Sequence, residues 1–431
     1  MNRVTKLKDI SSTIGSGITP SRSNKNFWIG GTIPWLKTGQ LGEHKIYDTN
    51  EKITKYALAN TGIKIFPVNT LSIALYGEGK TRGNVSILKS EMTTNQACCN
   101  IVIDKTKADY EFIYYLLKTK YNQLRNLSSG IRKNLNADYI KELEINLPSK
   151  ITVQQKIATV LSSLDSKIEF NNRINAELEA MSKTLYDYWF VQFDFPNANG
   201  KPYKSSGGKM LWNEELKRDI PDGWGVKKMS EWIDIDKSGD WGREEHEGKF
   251  TKKVTCIRGA DINGLNGLEE LKPPVRYILQ KNSFKILKSH DLIIEISGGS
   301  PTQSTGRLAY ITDATLKRFN NPVICSNFCK AISIKDKKML YNLIYYWNSL
   351  YDSGAFFGYE GKTTGIKNLL FDSFVNSYWT VVPPDTLVDK FYKVMTTIQD
   401  KKQVALSENQ KLAELRDWLL PMLMNGQVKV K

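Results

Sequence analysis

The sequence predicts an α+β protein. It should hold two mixed α/β domains joined by two long helices that form an antiparallel coiled coil, with an internal pseudo-twofold repeat. Three observations predict this. Shifting the chain by about 234 residues aligns its two halves. The front of each half carries short apolar, β-branched runs between Gly, Asn and Ser turns. The back of each half carries a long apolar heptad pattern.

The repeat is seen residue by residue. Asn134-Leu135 falls on Asn368-Leu369, and Asp138 on Asp372; Pro148 meets Pro383 after a one-residue slip. Leu161, Leu164, Asn175, Leu178 and Leu185 fall on Met395, Ile398, Asn409, Leu412 and Leu419. Upstream, "IPWLKTGQL" (33–41) resembles "VTCIRGADI" (254–262), and "NQACCNI" (95–101) resembles "SNFCKAI" (326–332). The expected divisions are a first domain over 1–148, a long helix over 149–190, and a linker over 191–218. A second domain follows over 219–383, then a second long helix and tail over 384–431.

In the fronts, "NTLSIAL", "NVSILK", "DLIIEIS" and "RLAYIT" read as strands. Segments 109–127 and 339–353 read as helices packed on a sheet. In the backs, no Gly or Pro interrupts the run from Thr152 to Trp189, and Thr152 with Gln155 suggests a capping box. Ile157, Leu161, Leu164, Ile168, Leu178 and Leu185 form one seam; Phe391, Met395, Ile398, Ala405, Leu412 and Leu419 form the other. A helix of ~38 residues is ~57 Å long. Asn171, Asn175 and Asn409 fall in the seams, where a buried Asn costs stability and fixes register. Paired antiparallel, such helices would hold two heads at the ends of a rod.

Composition narrows the function classes. The chain has 431 residues, more than one ordinary core takes, and 40% of them are hydrophobic. Lys and Arg number 61 against 45 acids, a net charge of +16 that suits a polyanionic partner. The start "MNRVTKLKDISS" lacks an apolar core of signal-peptide length, and no run of 18 apolar residues is present. A cytoplasmic location is expected. The five cysteines form no framework and read as buried free thiols in a reducing compartment. Cys325 and Cys329 lack the spacing and company of a zinc site.

No catalytic pattern survives inspection. "GEGKT" and "GYEGKTTG" suggest a phosphate loop, but its first glycine is replaced by Ala74 in one copy and Phe356 in the other. His44, His246 and His290 are scattered. "DSK" (165–167) lies on the heptad helix without an acidic strand partner, and "KPPVRY" (272–277) lacks the Asn or Asp of amino-methyltransferases. No nucleophile elbow or dinucleotide loop is present in the sequence. No metal ligands and no catalytic residues are expected.

Donor-rich turns remain. They offer Lys37, Thr38 and Gln40; Tyr76, Lys80, Thr81, Arg82 and Asn84; Arg132 and Lys133; Arg258; Ser297, Gln303, Ser304, Thr305 and Arg307; and Lys362, Thr363 and Lys367. Glycines let a backbone approach, cations neutralise phosphates, and amides and guanidiniums read base edges. On two basic domains such turns point to DNA. A nuclease or nucleotide-dependent enzyme acting alone, or a scaffold binding DNA without sequence preference, are the alternatives.

The segment 185–224 carries Trp189-Phe190-Val191, a Gly-Lys-Pro-Tyr-Lys-Ser stretch (200–205), and Ile220 to Trp224 in "IPDGW". It closely resembles the central junction of specificity subunits of type I restriction–modification enzymes. "LRDWLLPMLMNGQVKV" (415–430) resembles that family's C-terminus; "GITPSR" (17–22) and "IPWLKTGQL" resemble the start of a recognition domain. The resemblance implies two target recognition domains, each reading one half of a split, asymmetric DNA site, with helices that set the gap. It implies docking of two modification subunits that carry S-adenosylmethionine and methylate adenine at N6. Two motor/nuclease subunits using ATP and Mg²⁺ are a further expectation. This chain itself then binds no cofactor and has no active site, in a prokaryotic host-defence system. The second domain replaces Pro34-Trp35 by Thr255-Cys256, so the two domains are expected to read different sequences.

Overall fold

A computed structural model describes residues 2–77, 81–126, 135–300, 302–363 and 365–430. The chain divides into two compact units, one of residues 1–169 with 410–431 and the other of residues 170–409. Among the described residues no helix is long and apolar enough to cross a membrane.

In the first unit a five-stranded sheet runs in the order Ser11–Ser16, Cys98–Ile103, Leu71–Ala74, Val85–Leu88, Lys45–Ile46. A three-stranded sheet sets Ile33–Leu36 between Glu51–Ile53 and Thr93–Thr94, and Trp35 pairs parallel with Thr93. Asn2–Lys6 pairs antiparallel with Glu144–Pro148. Leu71 and Ile73 are fully buried under the helix Tyr110–Thr119, which inserts Phe112, Tyr114 and Tyr115. The expected helix over 109–127 breaks at Lys120 and resumes as Tyr121–Asn126.

The second unit repeats this plan. A four-stranded sheet runs Ile233–Ser238, Cys329–Ile334, Leu292–Glu295, Leu308–Tyr310. A three-stranded sheet sets Phe250–Ile257 between Val275–Leu279 and Val323–Cys325, the last pair parallel. Gly225–Lys228 pairs with Trp379–Val382 as Asn2–Lys6 pairs with Glu144–Pro148. The helix Leu340–Asp352 stands where Tyr110–Thr119 stands in the first unit. The junction segment is part of this core. Trp224 lies against Phe193 and Phe195 with ring centroids 5.4 and 5.2 Å away, and Phe190 meets Phe391 at 4.8 Å.

Two long helices, Ile151–Tyr186 and Asp385–Met424, each supply residues to both units. The first starts at Ile151, so Thr152 lies inside it and is not the cap; Gln154 instead donates to the Pro148 carbonyl at 2.7 Å and accepts from the Asp109 amide at 2.9 Å. Within the first unit the helices run antiparallel. Ile157, Ala158 and Leu161 share a cluster with Leu419, Leu423 and Met424, and Asp165 accepts from Arg416 at 2.7 Å. Within the second unit they also run antiparallel: Asn171 meets Asn409 at 2.9 Å, Asn175 donates to the Lys402 carbonyl at 3.4 Å, and Tyr186 lies by Phe391. Leu164, Ile168, Leu178 and Leu412 are half-buried, while Leu185 and Ile398 pack on the core around Met395. The middle of the seam is polar. Asn171, Asn175, Gln399, Lys402 and Gln403 are all buried, and Lys402 is paired with Glu179.

Candidate nucleic-acid interface

In the first unit, hydrogen bonds gather three turns at one sheet edge. The Asn95 amide donates to the Leu36 carbonyl at 2.9 Å, which seats the turn 95–97 beside Lys37. The Leu75 amide donates to the Ala97 carbonyl at 2.8 Å, which brings Tyr76 alongside. Asn84 donates to the Leu41 carbonyl at 3.2 Å, which joins the end of the 75–84 loop to the 38–41 turn. Lys37, Thr38, Gln40, Tyr76 and Asn84 therefore share an edge; Tyr76 is 46% exposed. Thr81 and Arg82 are half-buried in the same loop.

Charge at this edge is partly neutralised internally. Lys37 pairs with Glu51, and Arg22 pairs with the same carboxylate at 2.5 Å. Hydrogen bonds from Lys37 and Arg22 hold the Glu51 carboxyl below the usual carboxylate range. The Arg22 guanidinium also lies 3.7 Å from the Trp28 ring centre and 4.8 Å from that of Trp35.

The second unit builds the same edge. Arg258 stands where Lys37 stands and forks onto Asp261, Nε to Oδ2 at 2.8 Å and Nη2 to Oδ1 at 3.0 Å. Ser297 donates to the Asn368 Oδ1 at 2.7 Å. Gln303 is exposed. Other residues of these turns face inward. Ser304 is buried, and Thr305 is 1% exposed with its hydroxyl on Glu360. Arg307 forks onto Glu295 at 2.8 and 2.7 Å, and Lys367 pairs with Glu360 at 3.1 Å. Thr305 and Arg307 tie the 297–307 loop to the hairpin Glu360–Leu369 and to its sheet, Lys367 donates to the Gln303 carbonyl at 3.4 Å, and both cations are already neutralised. Lys80, Arg132 and Lys133 lie outside the described residues, as do the side chains of Lys362 and Thr363.

The structure adds residues that no sequence motif marks. A cavity of about 440 Å³ opens on the edge of the second unit, lined by Trp241, Arg258, Glu295, Ser297, Asn327 and Phe328. Trp241 and Phe328 are 38% and 49% exposed, and the Arg276 guanidinium lies 4.1 Å from the centre of the Trp241 ring. The repeat alignment contained Asn327 and Phe328, but an aromatic between apolar strands reads as core, so nothing marked it as a surface group.

Elsewhere the chemistry is that of packing. All five cysteines are buried free thiols; burial pushes Cys98, Cys99, Cys256 and Cys325 up to about 12. Among the described residues no group of His, Cys, Asp and Glu could hold a metal ion. His44 is largely enclosed against Tyr114, ring centroids 4.7 Å apart, and this desolvation lowers its pKa to about 4. His290 bonds Tyr392 at 2.9 Å.

Comparison with known proteins gives a consistent outcome. Residues 2–180 match the family of the type I restriction modification DNA specificity domain. The chain is 29% identical to the type I restriction enzyme MjaIX specificity subunit of Methanocaldococcus jannaschii, over 99% of this chain and 94% of that one. It is 24% identical to the HindI specificity subunit of Haemophilus influenzae, over 74% and 77%. In fold it is similar to the S subunit of a type I restriction–modification system from M. genitalium, with a TM-score of 0.58 and 16% identity over 98% of this chain and 96% of that one.

Proposed function

We propose, from that likeness, that the chain is a DNA sequence-recognition specificity subunit of a type I restriction–modification system, with catalysis on partner subunits, and that each unit reads one half of a bipartite, asymmetric DNA site. The observation that carries this is the duplicated edge: the same turns are gathered in both units, with different side chains on them. Lys37, Gln40, Tyr76 and Asn84 present the first edge, and Arg258, Ser297 and Gln303 the second. Phosphate contacts supply most of the affinity of such a basic chain and make it fall steeply with salt.

The long helices serve the partners and the gap between half-sites. Phe170, Ile174 and Met181 are exposed on one face of the first helix within the second unit, spaced by four and seven residues. Such a face suits two docked methyltransferase subunits carrying S-adenosylmethionine, and motor/nuclease subunits carrying ATP and Mg²⁺. The target adenine is then flipped into the partner's pocket. The assembly works in the cytoplasm of a prokaryote.

The test is to express the chain with its modification subunit in cells free of other adenine methylation and to map N6-methyladenine by single-molecule sequencing. One split motif with a fixed gap is expected. Adding a helical turn to both long helices is expected to change the gap and leave both halves intact. Methylation without a split motif would refute the reading.

A further inference from the structure

Beneath their different side chains, the two recognition edges share one backbone frame. The Asn95 amide donates to the Leu36 carbonyl at 2.9 Å, and the Ser326 amide to the Ile257 carbonyl at 2.8 Å. The Cys98 amide donates to the Asn95 carbonyl at 3.2 Å, and the Cys329 amide to the Ser326 carbonyl at 2.9 Å. The Leu75 amide donates to the Ala97 carbonyl at 2.8 Å, and the Ile296 amide to the Phe328 carbonyl at 2.9 Å.

A glycine locks each frame to the strand before it. A Cβ on Gly17 would lie 2.0 Å from the Thr94 carbonyl oxygen, and one on Gly239 would lie 1.9 Å from that of Ser326. The residues two places after these glycines, Thr19 and Trp241, are thereby set beside the turn, and Thr19 donates to Gln96.

The frame therefore fixes two apex positions in each unit, 96–97 and 327–328, and the sequence fills them differently. One apex carries Gln96 and Ala97 beside Thr19 and Lys37. The other carries Asn327 and Phe328 beside Trp241 and Arg258, around the 440 Å³ cavity. Gln96 and Asn327 are exposed. Among the described residues Asn327 spends no side-chain hydrogen bond inside the protein, while the carbonyl of Gln96 is engaged by Thr19. A backbone kept constant under changed tips is the signature of residues that decide what is bound rather than how the fold holds.

We propose that Gln96 and Asn327 are specificity-determining residues, each reading one base pair of its own half-site. This rests on the proposed reading of the units as DNA readers. Asn327 keeps both a donor and an acceptor, the pair that matches the N7 and N6 of adenine in the major groove. Phe328 and Trp241 supply apolar surface for the thymine methyl of an A·T pair. Gln96, with one lone pair of its carbonyl held by Thr19, keeps both amide donors and favours an acceptor edge, guanine or thymine. The two halves thus read different bases with the same device.

The test uses the assembled methyltransferase. Wild type, Gln96→Ala, Asn327→Ala and Asn327→Asp are compared by methylation sequencing and by binding to cognate and singly altered duplexes in vitro. Asn327→Ala is expected to lower discrimination at one position of one half by about 10–100-fold and to leave the other half unchanged. Gln96→Ala is expected to do the same in the other half. Asn327→Asp turns the amide donor into an acceptor and is expected to shift preference at that position from adenine towards cytosine.

The duplex measurement gives an answer even where a variant methylates nothing. Unchanged discrimination at every position in all three variants would overturn the proposal while the split motif of the wild type still stood. A wild type without a split motif would overturn the functional reading and this proposal together.

Discussion

Replacing Arg416 by Met removes the partner of a deeply enclosed charge in the first unit. Asp165, on the first long helix, is 5% exposed in its side chain. It accepts from Tyr115 at 2.6 Å and from Arg416 at 2.7 Å, and His44 stands 3.7 Å away. Burial works to raise its pKa, but the hydrogen bonds from Tyr115 and Arg416, with the charge of Arg416, hold it below the usual carboxylate range. Methionine keeps most of the volume and removes the charge, so Asp165 is left ionised in a poor solvent with one hydrogen bond. Breaking a buried pair from one side costs about 3–5 kcal/mol. With a urea m-value of roughly 2–3 kcal/mol/M, the midpoint of the transition carrying this unit should fall by about 1–2 M. Trp28, Trp35 and Trp418 lie in this unit and report on it by fluorescence. Replacing both partners, Asp165→Leu with Arg416→Met, should recover much of the loss, because no lone charge remains. A single variant within about 1 kcal/mol of wild type, or a double variant worse than the single, would show that the pair does not hold the two helices to the domain.

Three further outcomes follow from the same physics. His44 sits at about 4 when folded against 6.5 ordinarily; the unfolded chain binds a proton that the folded one refuses, so stability is full above 6.5 and declines by about 3 kcal/mol as pH falls to about 4. His44→Phe should flatten that decline in pH-dependent denaturation, and an unaltered slope would move the cause elsewhere. Arg307→Met strands Glu295 and should cost about 3–5 kcal/mol of stability in the second unit; a variant of normal stability with relaxed DNA specificity would return Arg307 to the binding surface. Gly239→Ala forces the clash with Ser326 and should cost about 1–3 kcal/mol, seen as a lower melting temperature and faster proteolysis near 326–328.

The helices were legible in the sequence because a long run without Gly or Pro, with apolar residues at heptad spacing, has few other ways to bury its stripe. The repeat was legible for the same reason: Asn175 and Asn409 hold matching places in both seams. The polar centre of the seam was less legible, since Gln399 and Lys402 look like surface residues until Tyr345 and Glu179 are seen beside them. The edges were half legible. Lys37, Tyr76 and Arg258 stand in donor-rich turns that the sequence marks, and strand pairing sets each at a sheet edge. Charge in a turn marks Arg307 and Lys367 as DNA contacts in the sequence, but Glu295 and Glu360 meet them only once the strands are paired. Asn327 and Phe328 were hidden by their apolar neighbours, and only the duplicated frame singles them out.

The first unit takes its closing piece from residues 410–431. Leu423 and Met424 complete its core, and Arg416 answers Asp165. Residues 170–409 separate these groups from the rest of the unit, and at 5–20 residues per second their synthesis occupies roughly 10–50 s. The domain that leaves the ribosome first is therefore the last to be finished, and it waits with an open apolar flank while its neighbour, continuous in sequence, folds to completion. A chain broken off before residue 410 would keep its second unit whole and leave the first without Arg416, Leu423 and Met424, so this late stretch of helix seals a domain begun some four hundred residues earlier.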